Sequence, residues 1–175
     1  MNIVESLVQA TRPSPSHPHA GEAFFIWRQY TATVEGRNLC LTFHNHTADR
    51  ELKAFITGFI KDAEEPQIEE LMRVMRREGI EFPSVPQTKP LLDHLEIPVG
   101  AHFQDEEIAA LLVGKLQGLM IFCYFAMTQT LRDDLGTMFY RFIGDLMKQA
   151  FTLKQLMDKR GWLMHPPPYS AVVPH

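Results

Sequence analysis

Apolar residues recur at three- and four-residue steps over four long stretches of the chain, the period of helices that bury one face. In the first stretch Phe24, Trp27, Thr31, Val34, Asn38 and Leu41 keep that step. They predict a helix from about Gly21 to His46, with Glu22, Arg28, Gln29, Glu35 and Arg37 on its wetter side. The second stretch opens near Thr47 or Asp49 and carries Leu52, Phe55, Ile56, Phe59, Ile60 and Ala63, then Ile68, Leu71, Met72 and Met75, before Gly79 stops it. In the third, Gln104 as cap places Asp105, Glu106 and Glu107 in a first turn where the helix dipole favours them, and Phe103 pairs with Ile108 as a hydrophobic staple. That helix is hydrophobic almost all round as far as Leu131. The fourth follows Arg132-Asp133-Asp134 and puts Leu135, Phe139, Phe142, Leu146, Ala150, Leu153 and Met157 on one face before Gly161.

Proline, excluded from helix interiors, marks the divisions. The 12 prolines gather before residue 19, between 83 and 98 and after 165, with Pro66 alone inside a helical stretch. Residues 1–19 therefore read as a leader, 80–104 as a crossover and 162–175 as an extended tail of a single domain. Leu91, Leu92 and Leu95 allow a short helical turn within the crossover. In a continuous helix the Pro66 ring would clash with the carbonyl of Asp62, so a kink or restart is expected at Glu64 to Pro66. Helices of about 26 residues are about 39 Å long, and a linker of about 25 residues reaches roughly 80 Å. Short first and last connections with one long crossover predict an all-α, ferritin-like four-helix bundle whose second and third helices run parallel.

Composition narrows the function classes. With 175 residues, 45% hydrophobic and 22% charged, the chain has the make-up of one soluble globular domain. A net charge of -4 opposes nucleic-acid binding through phosphates. The basic run Arg73 to Arg77 is flanked by Glu69, Glu70 and Glu78, the pattern of a solvated helix side. No basic segment followed by an apolar one opens the chain, so no secretory leader is expected. Ile108 to Leu131 is long enough to cross a bilayer and holds Gly114 and Gly118 at a spacing used by packed membrane helices. Lys115 and Gln117 lie well inside it, and its flanks lack a positive-inside asymmetry, so a central helix of a soluble bundle is expected rather than a membrane partner. Cys40 and Cys123 each sit in an apolar run and read as buried free thiols of a reducing, cytoplasmic setting.

The bundle suggests one cofactor to test. A carboxylate-bridged di-metal centre needs Glu-x-x-His on two helices and a Glu on each of the others. None of the 8 histidines has a Glu three residues before it, and no carboxylate lies between Ile108 and Leu131, so no di-iron cofactor is expected. No nucleophile elbow, phosphate loop or Cys-x-x-Cys pair occurs, and no catalytic residue is assigned. Cys40 and His44 are helical neighbours, a core thiol beside a surface imidazole. The topology gathers His44, His46, Asp49, His102 and His165 at one end of the bundle. His44, His46, Asp49 and His102 are the candidate ligands for a divalent metal such as zinc or nickel, His46 and Asp49 standing three residues apart. Structural roles open to the same residues are helix-dipole compensation by the histidines and capping by Asp49. Phe122, Tyr124 and Met127 read as core rather than as the lining of a ligand cavity.

Several segments together carry a resemblance: Leu41-Thr-Phe-His-Asn-His46-Thr-Ala-Asp49-Arg-Glu-Leu-Lys53, Gly79-Ile-Glu-Phe-Pro83, Ile97-Pro98-Val99-Gly100, Phe103 to Ile108, Arg132-Asp133-Asp134-Leu135, and Lys159-Arg-Gly161-Trp-Leu-Met-His-Pro-Pro-Pro-Tyr169. Over about residues 20 to 170 the chain resembles the DUF3231 family of bacilli, which is similar to the spore coat protein F group and belongs to the ferritin-like helical proteins. The resemblance implies a ferritin-like bundle from a spore-former, placed in the spore coat or in the cytoplasm of the mother cell. Many relatives carry two tandem copies, which implies a homodimer for a chain with one. His46, Asp49, Arg132, Asp134, Gly161 and Pro167 match the recurring pattern, whereas His165 stands where Arg is usual and Gln104 where Thr would cap. The functional expectation is a non-catalytic protein acting by association, as a homodimer or with coat proteins. The alternative is a metal- or small-ligand-binding bundle that uses its histidine-rich end.

Overall fold

The computed structural model describes residues 16–92, 98 and 100–167. Its elements are α1 (Ala20–His46), α2 (Arg50–Phe59), a π-helical turn (Ile60–Glu64), α3 (Glu65–Glu78), α4 (Asp105–Gln129) and α5 (Asp133–Arg160). Together α2, the π turn and α3 make the second long helix of a four-helix bundle, and no strand occurs among the described residues. One core runs the length of the bundle, from Phe25, Ile26 and Phe139 through Phe59 and Leu116 to Phe43 and Met157. Leu95 of the expected crossover turn and the tail beyond Pro167 lie outside the described residues.

The expected break at Pro66 takes a particular form. The backbone N–H of Glu65 reaches back to the carbonyl of Ile60, five residues earlier, so the chain widens by one residue just before the proline. A wide turn moves the preceding carbonyls away from the pyrrolidine ring, and the helix continues instead of restarting. The disturbance therefore begins at Ile60 rather than at Glu64.

The inward side of α1 differs from the expected stripe. Phe24 is 53% exposed, while Glu22 and Gln29, expected on the wet side, are buried. Capping accounts for Glu22. One of its oxygens accepts the backbone N–H of His19 at 3.0 Å, and the other accepts Leu131 N at 2.8 Å and Arg132 N at 2.9 Å. A single carboxylate thus caps the start of α1 and holds the turn between α4 and α5, satisfying donors that a helix end leaves free.

The crossover lies along α1. Phe82 packs edge-on against Tyr30 at 5.6 Å, Arg37 donates to Thr88 at 2.9 Å, and Asn38 donates to the Gln87 carbonyl at 3.2 Å. Further on, Asn45 donates to the Pro90 carbonyl and accepts Leu92 N, both at 2.9 Å. At the far end Phe103 sits against Phe43 of α1 at 5.6 Å. Anchors at Tyr30, Arg37 to Asn38 and Asn45 are about two turns apart, so one edge of α1 carries the connection from Phe82 to Leu92.

Arg132 closes the opposite end. It donates to both oxygens of Asp134 at 3.0 and 2.8 Å, to Glu78 at 3.0 Å and to the Ser16 carbonyl at 2.9 Å, and it is only 5% exposed. Burial alone would raise the Glu78 and Asp134 carboxyls, but the hydrogen bonds from Arg132 overcome it and hold both below the usual carboxylate range. Replacing Arg132 by Ala leaves Glu78 and Asp134 to Arg77, which donates to them at 2.8 and 3.3 Å, and is expected to cost about 3 kcal/mol in guanidinium unfolding at neutral pH. A folded pKa below the unfolded one gives stability that is present above the unfolded value and lost as pH falls through the folded value. The wild type is therefore expected to lose stability more steeply than Arg132→Ala as pH is lowered below about 5, where carboxylates begin to titrate.

Candidate functional site

The bundle interior holds a polar group at its middle. Glu64 is the last residue of the π turn, Gly36 and Cys40 lie one turn apart on α1, and Lys115 projects from α4. The Lys115 ammonium donates to Glu64 Oε1 and stands 4.4 Å from the centre of the Phe59 ring. The Glu64 side chain is 1% exposed and that of Lys115 9%. Room for the ammonium depends on Gly36: a Cβ there would lie 2.5 Å from Lys115 Cε and 3.3 Å from Glu64 Oε1. The Cys40 thiol lies beside this pair, and burial pushes it up to about 12, which keeps it protonated. Burial also raises the Glu64 carboxyl, against the pull of Lys115. Glu64 Oε2, both amide atoms of Gln67 and Gln29 Oε1 find no protein partner.

This donor set does not fit the carboxylate-bridged di-metal group of ferritin-like bundles. It offers one carboxylate already bonded to an ammonium, together with a protonated thiol, where that group requires carboxylates and imidazoles from all four helices. What it provides is a fixed internal cation neutralising a fixed internal anion. Sequence reasoning used Lys115 only against a membrane span. Its signals were a lone Lys in a long apolar helix, a proline demanding a wide turn and a glycine on the facing helix.

Of the histidine-rich end, the fold brings His46 and His102 together, with ring centres 5.6 Å apart. His46 Nδ1 accepts the backbone N–H of Phe103 at 3.3 Å, and partial burial, then neighbouring His102 and Lys89, lower its pKa. Asp49 is drawn elsewhere. Its Oδ1 caps α2 through Glu51 N at 2.8 Å and Leu52 N at 2.9 Å, while its Oδ2 accepts Arg160 Nε at 2.7 Å. His44 sits half-buried, and burial followed by the charge of Lys53 lowers its pKa. His165 is exposed and faces Asp158 at 3.9 Å. Among the described residues no group of three or more His, Cys, Asp or Glu side chains is arranged to hold a metal ion. Asp105, expected only to favour the helix dipole, accepts from the Thr47 hydroxyl and from Ala48 N at 3.2 Å, joining the first interhelical turn to the start of α4.

The interior pair makes its own prediction. Lys115→Met leaves Glu64 buried without a counter-charge and is expected to lower stability by about 3–5 kcal/mol at neutral pH. The stranded carboxyl then has a folded pKa above its unfolded one, so this variant should gain stability as pH falls from 7 toward 5. Adding Glu64→Gln to Lys115→Met should recover most of the loss at pH 7. Urea unfolding of the three proteins at the two pH values measures each of these differences.

Comparison with other proteins agrees with this architecture. The family model described as a protein of unknown function, DUF3231, matches residues 16–172. YvdQ of Bacillus subtilis (strain 168), described as an uncharacterized protein, is 26% identical over 155 residues, which cover 89% of this chain and 91% of YvdQ. Among solved structures, a "putative spore coat protein" from Bacillus halodurans aligns with a TM-score of 0.87 at 29% identity, covering 91% of this chain and 100% of that one. A protein from Anabaena variabilis with DJ-1/ThiJ/PfpI-like and ferritin-like domains aligns with a TM-score of 0.58 at 19% identity, over 86% of this chain and 41% of that one, a likeness of fold alone. With four helices, one crossover and a family match spanning nearly all of its length, the chain belongs to the DUF3231 family and has a ferritin-like bundle.

Proposed function

We propose that this chain is a non-catalytic structural bundle that acts by association, as a homodimer or with coat proteins, in the spore coat or the mother-cell cytoplasm. The observation that carries this reading is the internal Glu64–Lys115 pair, which fills with the chain's own charges the region where bundles of this shape hold reactive cofactors. The likeness to the Bacillus halodurans spore coat candidate supports the coat setting. Light scattering at tens of micromolar is expected to give twice the 20.1 kDa chain mass. A strictly monomeric protein, with no retention in coat extracts of sporulating cells, overturns the reading.

A second reading rests on the rings of His46 and His102, which meet edge to face. Two imidazoles at the open end of the bundle form a clamp for a zinc or nickel ion whose remaining positions are taken by water. Untagged protein should then carry bound metal that His46→Ala loses. Metal content that is nil in the wild type, or equal in the two proteins, ends this reading.

A further inference from the structure

α4 is long and apolar enough by composition to cross a membrane, yet only 33% of its most apolar window is buried in the bundle. The residues it turns outward follow helical steps: Ala110, Leu111, Gly114, Gln117, Gly118, Ile121, Tyr124, Phe125 and Thr128. No charge interrupts this side for five turns. α5 adds to it. Its charged side is drawn toward the second long helix by Arg141 pairing with Glu70 and Lys159 with Glu51. Tyr140, Gly144, Met147 and Phe151 are left on the side next to α4, with Lys154 bounding them toward the end of the helix. The two helices are antiparallel about the turn at 130–132, so equal rise places Gly118 level with Gly144. A Cβ at Gly114, Gly118 or Gly144 would meet nothing within 4 Å.

We propose that the outer face of α4 and α5 is the surface on which a second copy of this chain docks. This rests on the association reading and adds its location. The exposed area matches the need. Ile121 is 68% exposed, Tyr140 65%, Tyr124 60%, Phe151 59% and Phe125 52%. At roughly 150–250 Å² for each aromatic side chain, these residues with Leu111 and Met147 present on the order of 800 Å² of apolar surface. That is about what each partner contributes to a standard stable interface. The occupant must itself present a long uncharged helical face, and a second copy related by a two-fold axis supplies one with the same length and the same small residues.

Sedimentation equilibrium of the full chain tests the surface. The double substitution Ile121→Lys and Phe151→Lys, both at exposed positions, should raise the dimer dissociation constant at least 100-fold without lowering the melting temperature. Glu69→Lys on α3 changes the net charge by the same amount and should leave the dimer intact. Tyr124→Lys together with Tyr140→Lys, at two other exposed positions of the face, should also give monomers, so the test stands if the first double variant does not fold. A wild-type monomer removes the association reading and this surface with it. A wild-type dimer whose dissociation constant neither face variant changes removes the surface alone. Flotation of monomeric wild type with phosphatidylcholine vesicles assigns the face to a lipid surface and overturns the proposal.

Discussion

The Glu64–Lys115 pair is the interaction around which the bundle is arranged. Burying one carboxylate and one ammonium is unfavourable unless each faces the other with good geometry, so both helices and the space between them are constrained together. The π turn brings Glu64 into the interior at its last residue, and Gly36 leaves α1 without a side chain where the Lys115 stem passes. Phe59 offers a ring face to the ammonium, and Cys40 borders both groups. Three helices are thereby fixed in register by one contact.

The ends are fixed by different means. Glu22 caps α1 and the α4–α5 turn together, and Arg132 draws Glu78, Asp134 and the segment before α1 into one network. At the other end Asp49 joins the start of α2 to the end of α5, and Asp105 joins the first turn to α4. Of the candidate metal ligands, Asp49 is occupied in this way. A carboxylate that caps a helix and accepts an arginine has little remaining capacity for a metal ion.

Element limits were legible because local rules decide them. Gly79 and Gly161 end helices in the left-handed conformation their position needs, at φ of 69° and 71°. Clustered prolines delimited the crossover, and Pro66 marked the disturbed helix. The inward face of α1 was not legible. Glu22 and Gln29 are polar, and nothing local says that Glu22 will meet the donors of a turn 109 residues away. The candidate site suffered in the same way. His46 and His102 were expected to meet and do, because both lie at helix ends that the topology gathers. The Glu64–Lys115 contact escaped because the two residues share no motif, only a depth in the bundle.

Periodicity and punctuation in the sequence therefore determined the number of helices, their limits and the order of their connections, since these depend on propensity, capping and chain reach. Tertiary structure alone decided which polar residues turn inward and which apolar ones remain outside. Desolvation can be offset only by a partner from another helix, so the burial of Lys115 was determined by where Glu64 lies. For the same reason an outward Ile121 or Phe151 could be recognised only once the rest of the bundle had chosen its core.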